Sequence, residues 1–243
     1  MRPADIPIIV TRAEPGASET VERLEARGLK PVLAPMLSLV ERPDSHMPAP
    51  SDLSGFVFTS ANGVRTYAKR RSDRYLPAWC VGPATAQAAR EEGFETVHES
   101  AGNAVDLANF IAERLAPPDD PLLHVANAAA TGVLRETLTV KGFQTVFAPI
   151  YEMQPAQSLP ASVRHLIDQN STCIVLVHSE KGATAFAGQT GSRALTSCIG
   201  VAISERASQP LERLNLSAIY TAEAPNEVGL FAALEIALAT LSA

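Results

Sequence analysis

The sequence predicts an α/β protein made of two parallel-sheet domains that are tied together by two strands. Two observations predict this fold: short apolar runs alternate with helical patterns throughout the chain, and the whole pattern occurs twice in the sequence. The stretch GLKPVLAPM, which starts at Gly28, returns almost unchanged as GFQTVFAPI at Gly142. Because continuous apolar strands need helices on both faces, this alternation indicates doubly wound parallel sheets.

The first repeated unit reads strand, helix, strand over residues 6–35. IPIIV is a strand, SETVERLEARG has helical spacing that stops at Gly28, and KPVLAP is the second strand. Residues 121–149 repeat the order with PLLHVAN, TGVLRETLTVKG and QTVFAP.

A second unit also occurs twice. GFVFTSANGV and CIVLVHSEKGA both place a serine at the end of an apolar strand, with glycine three residues later. CVGPATAQAA corresponds to CIGVAISERA, and AGNAVDLANFI corresponds to APNEVGLFAAL. One copy of each unit supplies about five strands, which suits a flavodoxin-like sheet.

Connector lengths decide which copies share a domain. The first copy of the second unit is followed at once by the second copy of the first unit, with only APPDDP between them. The other two connections between units are long, and long structureless loops are uncommon inside a compact domain. We therefore expect one domain at 40–150 and a discontinuous domain at 1–36 plus 155–243. The linkers, at about 36–42 and 150–155, are expected to act as a two-strand hinge.

Composition excludes several classes of protein. Of 243 residues, 46% are hydrophobic and 19% charged, so the chain can bury cores and is not a disordered protein. A net charge of −6 does not favour nucleic-acid binding. The apolar runs are too short for a membrane span or a signal peptide, so we expect a cytoplasmic protein with no membrane partner.

The cysteines and histidines show no metal pattern. Cys80, Cys173 and Cys198 each lie in or beside an apolar run, and their odd number without C-x-x-C spacing argues against a disulfide framework or a zinc site. We expect three buried thiols. The histidines are scattered without a pair at helical spacing.

Small and hydroxyl residues follow the predicted strands, where parallel sheets bind ligands. Each leads into a helix, and helix N-termini bind anions because their N–H groups are unpaired. These candidate ligand-binding residues are Thr11, Arg12, Ser60, Ala61, Asn62, Gly82, Thr85, Asn103, Asn127, Ser179 and Gly200. A cleft lined by such ends would suit a polyanion; the alternative, plain N-capping by serine, threonine and asparagine, stays open.

The sequence lacks the common nucleotide and hydrolase motifs. There is no dinucleotide fingerprint, no P-loop, no flavin phosphate loop and no G-x-S-x-G elbow. We expect His178 and Ser179 to be neighbours in a strand, whose side chains point to opposite faces and do not form a nucleophile–base pair. The residues alone indicate a cofactor-free, anion-binding protein of two domains.

An ordered series of motifs resembles the uroporphyrinogen-III synthase family. The motifs run from Val10 to Leu238 and are VTRAEPGASETVERLEARGLKPVLAPML, FVFTSANGV, CVGPATAQAAREEGF, AGNAVDLANFI, KGFQTVFAPIYEM and EAPNEVGLFAALEIAL. The resemblance implies closure of the linear tetrapyrrole hydroxymethylbilane to uroporphyrinogen III, with ring D inverted and water lost, without a metal or organic cofactor. It also implies a monomer that transiently meets the preceding enzyme of the pathway.

The resemblance assigns roles to individual residues. Tyr151 matches a family tyrosine that is proposed to assist departure of the substrate hydroxyl, and Thr85 matches a threonine that faces the ligand. Ser60 and Ser179 match strand-end hydroxyls, while Thr11 and Arg12 match a common Thr-Arg pair in which the arginine binds a carboxylate.

The chain departs from the family pattern in two places. A Gly-Pro-Thr-Thr-Ala stretch is replaced at 200–204, where Ser204 offers the hydroxyl one residue late. An arginine-containing run is replaced by ANAAATG at 126–132. The alternative function is a non-catalytic two-domain protein that binds or senses a small ligand; a flavin-binding redox module is disfavoured because no phosphate loop is present.

Overall fold

The computed structural model describes residues 2–191, 193 and 195–241. They form two compact units: the first contains the residues up to Leu39 and those from Gln154 onward, and the second runs from Val40 to Met153. The predicted α/β fold with two parallel sheets is confirmed. The boundaries expected from the sequence are those of domains that fold independently, and they stay a prediction.

The strands in chain order are β1 Pro7–Val10, β2 Lys30–Leu33, β3 Leu37–Glu41, β4 Gly55–Phe58, β5 Ala78–Cys80, β6 Val97–Glu99, β7 Leu122–Asn127, β8 Thr145–Pro155, β9 Cys173–Val177, β10 Cys198–Ala202 and β11 Ala218–Thr221. The α-helices are α1 Gly16–Glu25, α2 Ala61–Arg70, α3 Pro83–Glu91, α4 Ala104–Arg114, α5 Val133–Val140, α6 Ala161–Asp168, α7 Glu180–Thr190, α8 Glu205–Ser208 and α9 Glu227–Thr240. No helix in the described part of the chain is long and apolar enough to cross a membrane.

The sheet of the first unit has the order β11-β10-β9-β1-β2, with every neighbouring pair parallel. This is the strand order of flavodoxin-like sheets. Successive residues of β1 face opposite sides: Ile8 packs in a core with α1 and α9, and Ile9 packs in a core with α6 and α7. The strand is therefore covered on both faces, which explains its uninterrupted apolar sequence.

The sheet of the second unit has the order β3-β8-β7-β4-β5-β6. From β8 to β6 the spatial order is the same as in the first unit, with β7 in the place of β1. One face packs Val57 and Trp79 against α4 and α5, and the other carries an aromatic cluster in which the rings of Phe56 and Tyr67 are 4.7 Å apart. The three cysteines are free and buried, as predicted.

The segments expected to be linkers are strands that pair with each other. Neighbouring strands β3 and β8 are antiparallel: the Arg42 N–H donates to the Ile150 oxygen at 2.8 Å, and the Ala156 N–H donates to the Met36 oxygen at 2.9 Å. The hydrogen bonds between β3 and β8 therefore continue beyond Pro149, where the repeated Ala-Pro motif ends.

Candidate active site

Each sheet has one place where ligands are expected to bind. In the first unit β1 and β9 are neighbours without being consecutive in the chain, and β7 and β4 are neighbours in the same way in the second unit. The helices that follow such strands leave on opposite faces, and the crevice beyond their carboxyl ends is where open α/β sheets bind ligands. We call these places the β1–β9 crevice and the β7–β4 crevice.

Ser60 lies at the β7–β4 crevice, between the end of β4 and the start of α2. Its backbone is extended and its hydroxyl oxygen accepts the Asn62 N–H at 3.2 Å, which makes it the N-cap of α2. Ala61 begins the helix, and the Asn62 side-chain amide lies 3.9 Å from the Met153 sulfur. The structure thus brings Ser60, Ala61 and Asn62 together in one helix turn.

Tyr151 belongs to the same crevice, within β8. It is only 2% exposed, and its partner in β7 is Asn127, next to a register shift between the two strands. Burial raises the pKa of the Tyr151 phenol, while a hydrogen bond with the Ser60 side chain lowers it. Because burial is the larger effect, the phenol keeps its proton at neutral pH.

Gly63 lets α2 approach β7 and the tyrosine closely. A Cβ placed on Gly63 would lie 3.0 Å from the Val125 carbonyl oxygen and 3.7 Å from Cε1 of Tyr151. A side chain at this position would push the helix away from the strand. The glycine that follows the serine in the sequence repeat is therefore explained by packing beside the crevice.

Asn127 ends β7 and shapes the turn that follows the strand. Its side-chain oxygen accepts the Ala129 N–H at 2.9 Å, and the Ala128 N–H donates to the Tyr151 carbonyl oxygen at 2.8 Å. The Asn127 oxygen is thus engaged by its own loop, which leaves the amide NH₂ of the side chain as its donor for a ligand.

Gly82, Thr85 and Asn103 follow β5 and β6, farther along the same sheet edge. Gly82 has φ of +137° and caps α3, and Asn103 caps α4 in a reciprocal pair with Asp106. Thr85 is 5% exposed, on the side of α3 that packs against the protein interior, and its contact with a ligand stays a prediction. The structure does not bring Asn103 to the β7–β4 crevice, since β6 is two strands away from β4.

The β1–β9 crevice begins with Thr11 and Arg12. The Thr11 hydroxyl is buried and donates to the Leu176 carbonyl oxygen at 2.9 Å, so it ties β1 to β9. The Arg12 guanidinium lies 3.3 Å from a carboxylate oxygen of Glu227 and 3.4 Å from the Thr20 hydroxyl. A Cβ on Gly16 would overlap that guanidinium, so glycine makes room for it.

The sequence reasoning missed Glu227 and Arg23. Glu227 is the first residue of α9, and it pairs with Arg23 of α1 at 3.1 Å as well as with Arg12. One carboxylate therefore lies between two guanidinium groups. The signal in the sequence was Asn226 followed by glutamate, which is typical of an acidic first helical turn, but no pattern links that turn to β1.

His178 is the second group whose position the sequence did not predict. It follows the end of β9 and precedes Ser179, so the expectation that both lie in a strand is wrong. The side chain is 6% exposed, and neither ring nitrogen has a hydrogen-bond partner among the described residues; Nε2 lies 3.8 Å from Glu227. Burial, together with the nearby Arg12, lowers the pKa of His178 to about 3, so the ring is neutral.

Ser179 and Ser204 are both N-caps, of α7 and α8. Their hydroxyl oxygens accept the N–H groups of Gly182 at 3.1 Å and Ala207 at 3.3 Å. Gly200 corrects the expectation of a strand-end residue: it lies in the middle of β10, where a Cβ would meet Leu211 at 3.0 Å. Since β10 extends to Ala202, Ser204 rather than Gly200 takes the capping position that Gly82 holds in the second unit.

Comparison with known proteins identifies one family. Residues 18–232 match the family model described as uroporphyrinogen-III synthase HemD. The fold is similar to the crystal structure of uroporphyrinogen-III synthetase from Helicobacter pylori 26695, with 17% identity, a TM-score of 0.67 and coverage of 99% of this chain and 100% of that one. It is also similar to a mutant uroporphyrinogen III synthase from Thermus thermophilus, with 14% identity, a TM-score of 0.51 and coverage of 97% and 99%. No match was found among curated protein sequences.

Proposed function

The chain belongs to the uroporphyrinogen-III synthase family, and from this we propose that it closes hydroxymethylbilane to uroporphyrinogen III. The reaction inverts ring D and releases one molecule of water, and the proposal needs no metal or organic cofactor. The observation that carries the proposal is the extent of the family match, because residues 18–232 include all of the β7–β4 crevice and the β9 side of the β1–β9 crevice. The chain is thus an enzyme of tetrapyrrole (heme) biosynthesis.

Tyr151 is proposed to hydrogen-bond the hydroxyl that leaves the substrate. Its phenol shares a hydrogen bond with the Ser60 side chain, and the proposal makes Ser60 the donor in that bond. The phenolic proton therefore remains for a second acceptor. Because burial raises the pKa, Tyr151 acts as a hydrogen-bond donor throughout the neutral range rather than by losing its proton.

The helix N-termini are proposed to bind the carboxylates of the substrate, of which hydroxymethylbilane has eight. A capping side chain such as Ser60 or Ser179 satisfies only part of the four free N–H groups in a first turn. The remaining N–H groups and the helix dipole favour an anion at that position. Capping and anion binding are therefore compatible at Ser60, Asn103, Ser179 and Ser204.

A coupled assay tests the proposal. Purified protein is supplied with hydroxymethylbilane, the product is oxidised, and the uroporphyrin isomers I and III are separated. We expect isomer III to dominate. Isomer I alone, which forms by closure without ring inversion, would contradict the proposal and leave the non-catalytic ligand-binding alternative, which the family match does not favour.

The state of the enzyme in the cell forms a separate part of the proposal. We infer that it acts as a cytoplasmic monomer that meets the enzyme supplying hydroxymethylbilane only transiently. The substrate loses its hydroxyl spontaneously, so a brief transfer would limit unproductive closure. Sedimentation of the purified chain and co-purification with that enzyme would test the two statements.

A further inference from the structure

The β1–β9 crevice differs from the β7–β4 crevice in charge. Around the first lie two guanidinium groups, those of Arg12 and Arg23, and one carboxylate, that of Glu227. Around the second lie the neutral side chains of Ser60 and Tyr151. The two crevices have the same place in the sheet order, so the charges are not required by the fold.

The charges of the β1–β9 crevice are unbalanced toward the positive. Glu227 lies 3.3 Å from Arg12 and 3.1 Å from Arg23, so it is shared by two cations. Each guanidinium presents five N–H donors, and one carboxylate cannot satisfy both groups. A further carboxylate that entered the crevice would gain charge-assisted hydrogen bonds.

His178 supplies an unused donor at the same place. Its side chain is 6% exposed, and neither ring nitrogen has a partner in the described part of the chain, although buried polar groups are nearly always hydrogen-bonded. A neutral imidazole carries one N–H donor and one acceptor nitrogen. The 3.8 Å between Nε2 and Glu227 is too long for a hydrogen bond.

A surface groove shares two residues with the crevice. The groove, of about 410 Å³, is lined by Arg23, Glu227, Phe231 and neighbouring residues of α1 and α9. Arg23 and Glu227 therefore belong to both the groove and the crevice, and the groove also carries Arg27 and Glu235.

We propose that the β1–β9 crevice is a carboxylate subsite in which Glu227 holds the place of a substrate carboxylate. The incoming carboxylate displaces Glu227 from Arg12 and accepts a hydrogen bond from the His178 ring. This inference rests on the proposed function, because the tetrapyrrole supplies the carboxylate. His178 is then a substrate-binding residue and Glu227 an internal competitor.

His178→Phe tests the donor. The substitution keeps a buried ring and removes both nitrogens, and the probe is uroporphyrin III, a stable octacarboxylate, titrated by fluorescence quenching. A lost hydrogen bond to a charged group predicts a roughly tenfold weaker Kd. His98→Phe, which keeps a ring stacked on Trp79, is the matched control and should bind normally.

Glu227→Gln tests the displacement, and its two effects have opposite signs. Binding of uroporphyrin III should tighten several-fold because the competing charge is gone, while the melting temperature of the free protein falls because Arg12 and Arg23 lose their partner. Glu212→Gln, an exposed carboxylate of the same unit, controls for net charge and should change neither. A purely structural Glu227 would lower both affinity and melting temperature.

The outcomes separate this inference from the function on which it rests. If the wild type forms isomer III and binds uroporphyrin III, but His178→Phe binds equally well and Glu227→Gln binds no tighter, the subsite is overturned and the function stands. If the wild type neither forms isomer III nor binds uroporphyrin III, the proposed function fails and the subsite falls with it.

Discussion

The side chain of Ser60 joins the first turn of α2 to the phenol of Tyr151. Its hydroxyl oxygen accepts the Asn62 N–H at 3.2 Å, and the same hydroxyl hydrogen-bonds Tyr151. A hydroxyl has one proton and two lone pairs, so it can cap the helix and orient the phenol at the same time. In the proposed reaction, Ser60 is thus a positioning residue for Tyr151.

Ser60→Ala should therefore change both stability and turnover. Loss of the cap costs about 1 kcal/mol of unfolding free energy. Loss of the bond to Tyr151 is expected to lower kcat about tenfold with little change in KM, since one hydrogen bond is worth roughly that factor. Ser179→Ala is the control for stability, because Ser179 caps α7 in the same way. A kcat equal to that of the wild type would show that Ser60 only caps the helix.

Gly63→Ala and Gly182→Ala form a matched pair in the two repeats. At Gly63 a Cβ would lie 3.0 Å from a backbone oxygen, whereas at Gly182 the nearest backbone atom is 3.9 Å away. We expect Gly63→Ala to cost about 1–3 kcal/mol through overpacking. Gly182→Ala should be near neutral, since alanine is favoured over glycine in helices and only the Ser179 hydroxyl must adjust. Equal losses in chemical denaturation would contradict the packing explanation.

Two buried histidines should make stability depend on pH. Burial lowers the pKa of His178 to about 3, helped by Arg12, and burial with Arg135 lowers the pKa of His124 to about 4. The unfolded chain has a histidine pKa of about 6.5, so between that pH and the folded values it binds more protons. Unfolding free energy therefore falls as pH falls from about 6.5, by up to about 1.4 kcal/mol per pH unit for each histidine.

Denaturation of His178→Phe between pH 4 and pH 7 tests this dependence. The groups that face His178 are Arg12 and Glu227, and both remain in the variant. The slope of unfolding free energy against pH should be shallower than in the wild type by one proton. His124→Phe should reduce the slope by a similar amount. Parallel curves for the wild type and both variants would show that these histidines do not resist protonation.

Cys80 should be dispensable for turnover. It is fully buried in β5, and burial raises the pKa of its thiol to about 12, so a nucleophilic thiolate does not form at neutral pH. Cys80→Ala is expected to keep kcat while costing about 1 kcal/mol or more of stability through lost packing. A folded variant with a large loss of isomer III formation would give Cys80 a chemical role.

The sheets and helix starts were predictable because their signals are local. Repeated apolar runs predicted the strands, and serine or asparagine before a helical pattern predicted the caps at Ser60, Asn103 and Ser179. The helix stop at glycine was also correct, since Gly28 and Gly142 both have positive φ. These features depend on neighbouring residues alone.

The features that the sequence did not predict depend on packing between distant residues, which the sequence repeat does not indicate. Matching Gly200 to Gly82 failed because β10 continues to Ala202, and two equivalent strands can differ in length without changing the apolar pattern. The pairing of Arg12 with Glu227 joins the first strand to the last helix. Burial of Tyr151 follows from pairing of β8 with β7, which the expected linker did not suggest.

Formation of isomer III by the wild type and Tyr151→Phe, from one preparation of hydroxymethylbilane at saturating substrate, tests the account most directly. When the repeat that begins at Gly28 is aligned with the repeat that begins at Gly142, Leu37 corresponds to Tyr151. The strand pairing therefore does not require the hydroxyl. We predict that the wild type makes isomer III and that Tyr151→Phe, with unchanged melting temperature, has a kcat about 10²-fold lower. Isomer III formation by Tyr151→Phe at the wild-type kcat would contradict the role of the tyrosine, and absence of isomer III from the wild type would contradict the function itself.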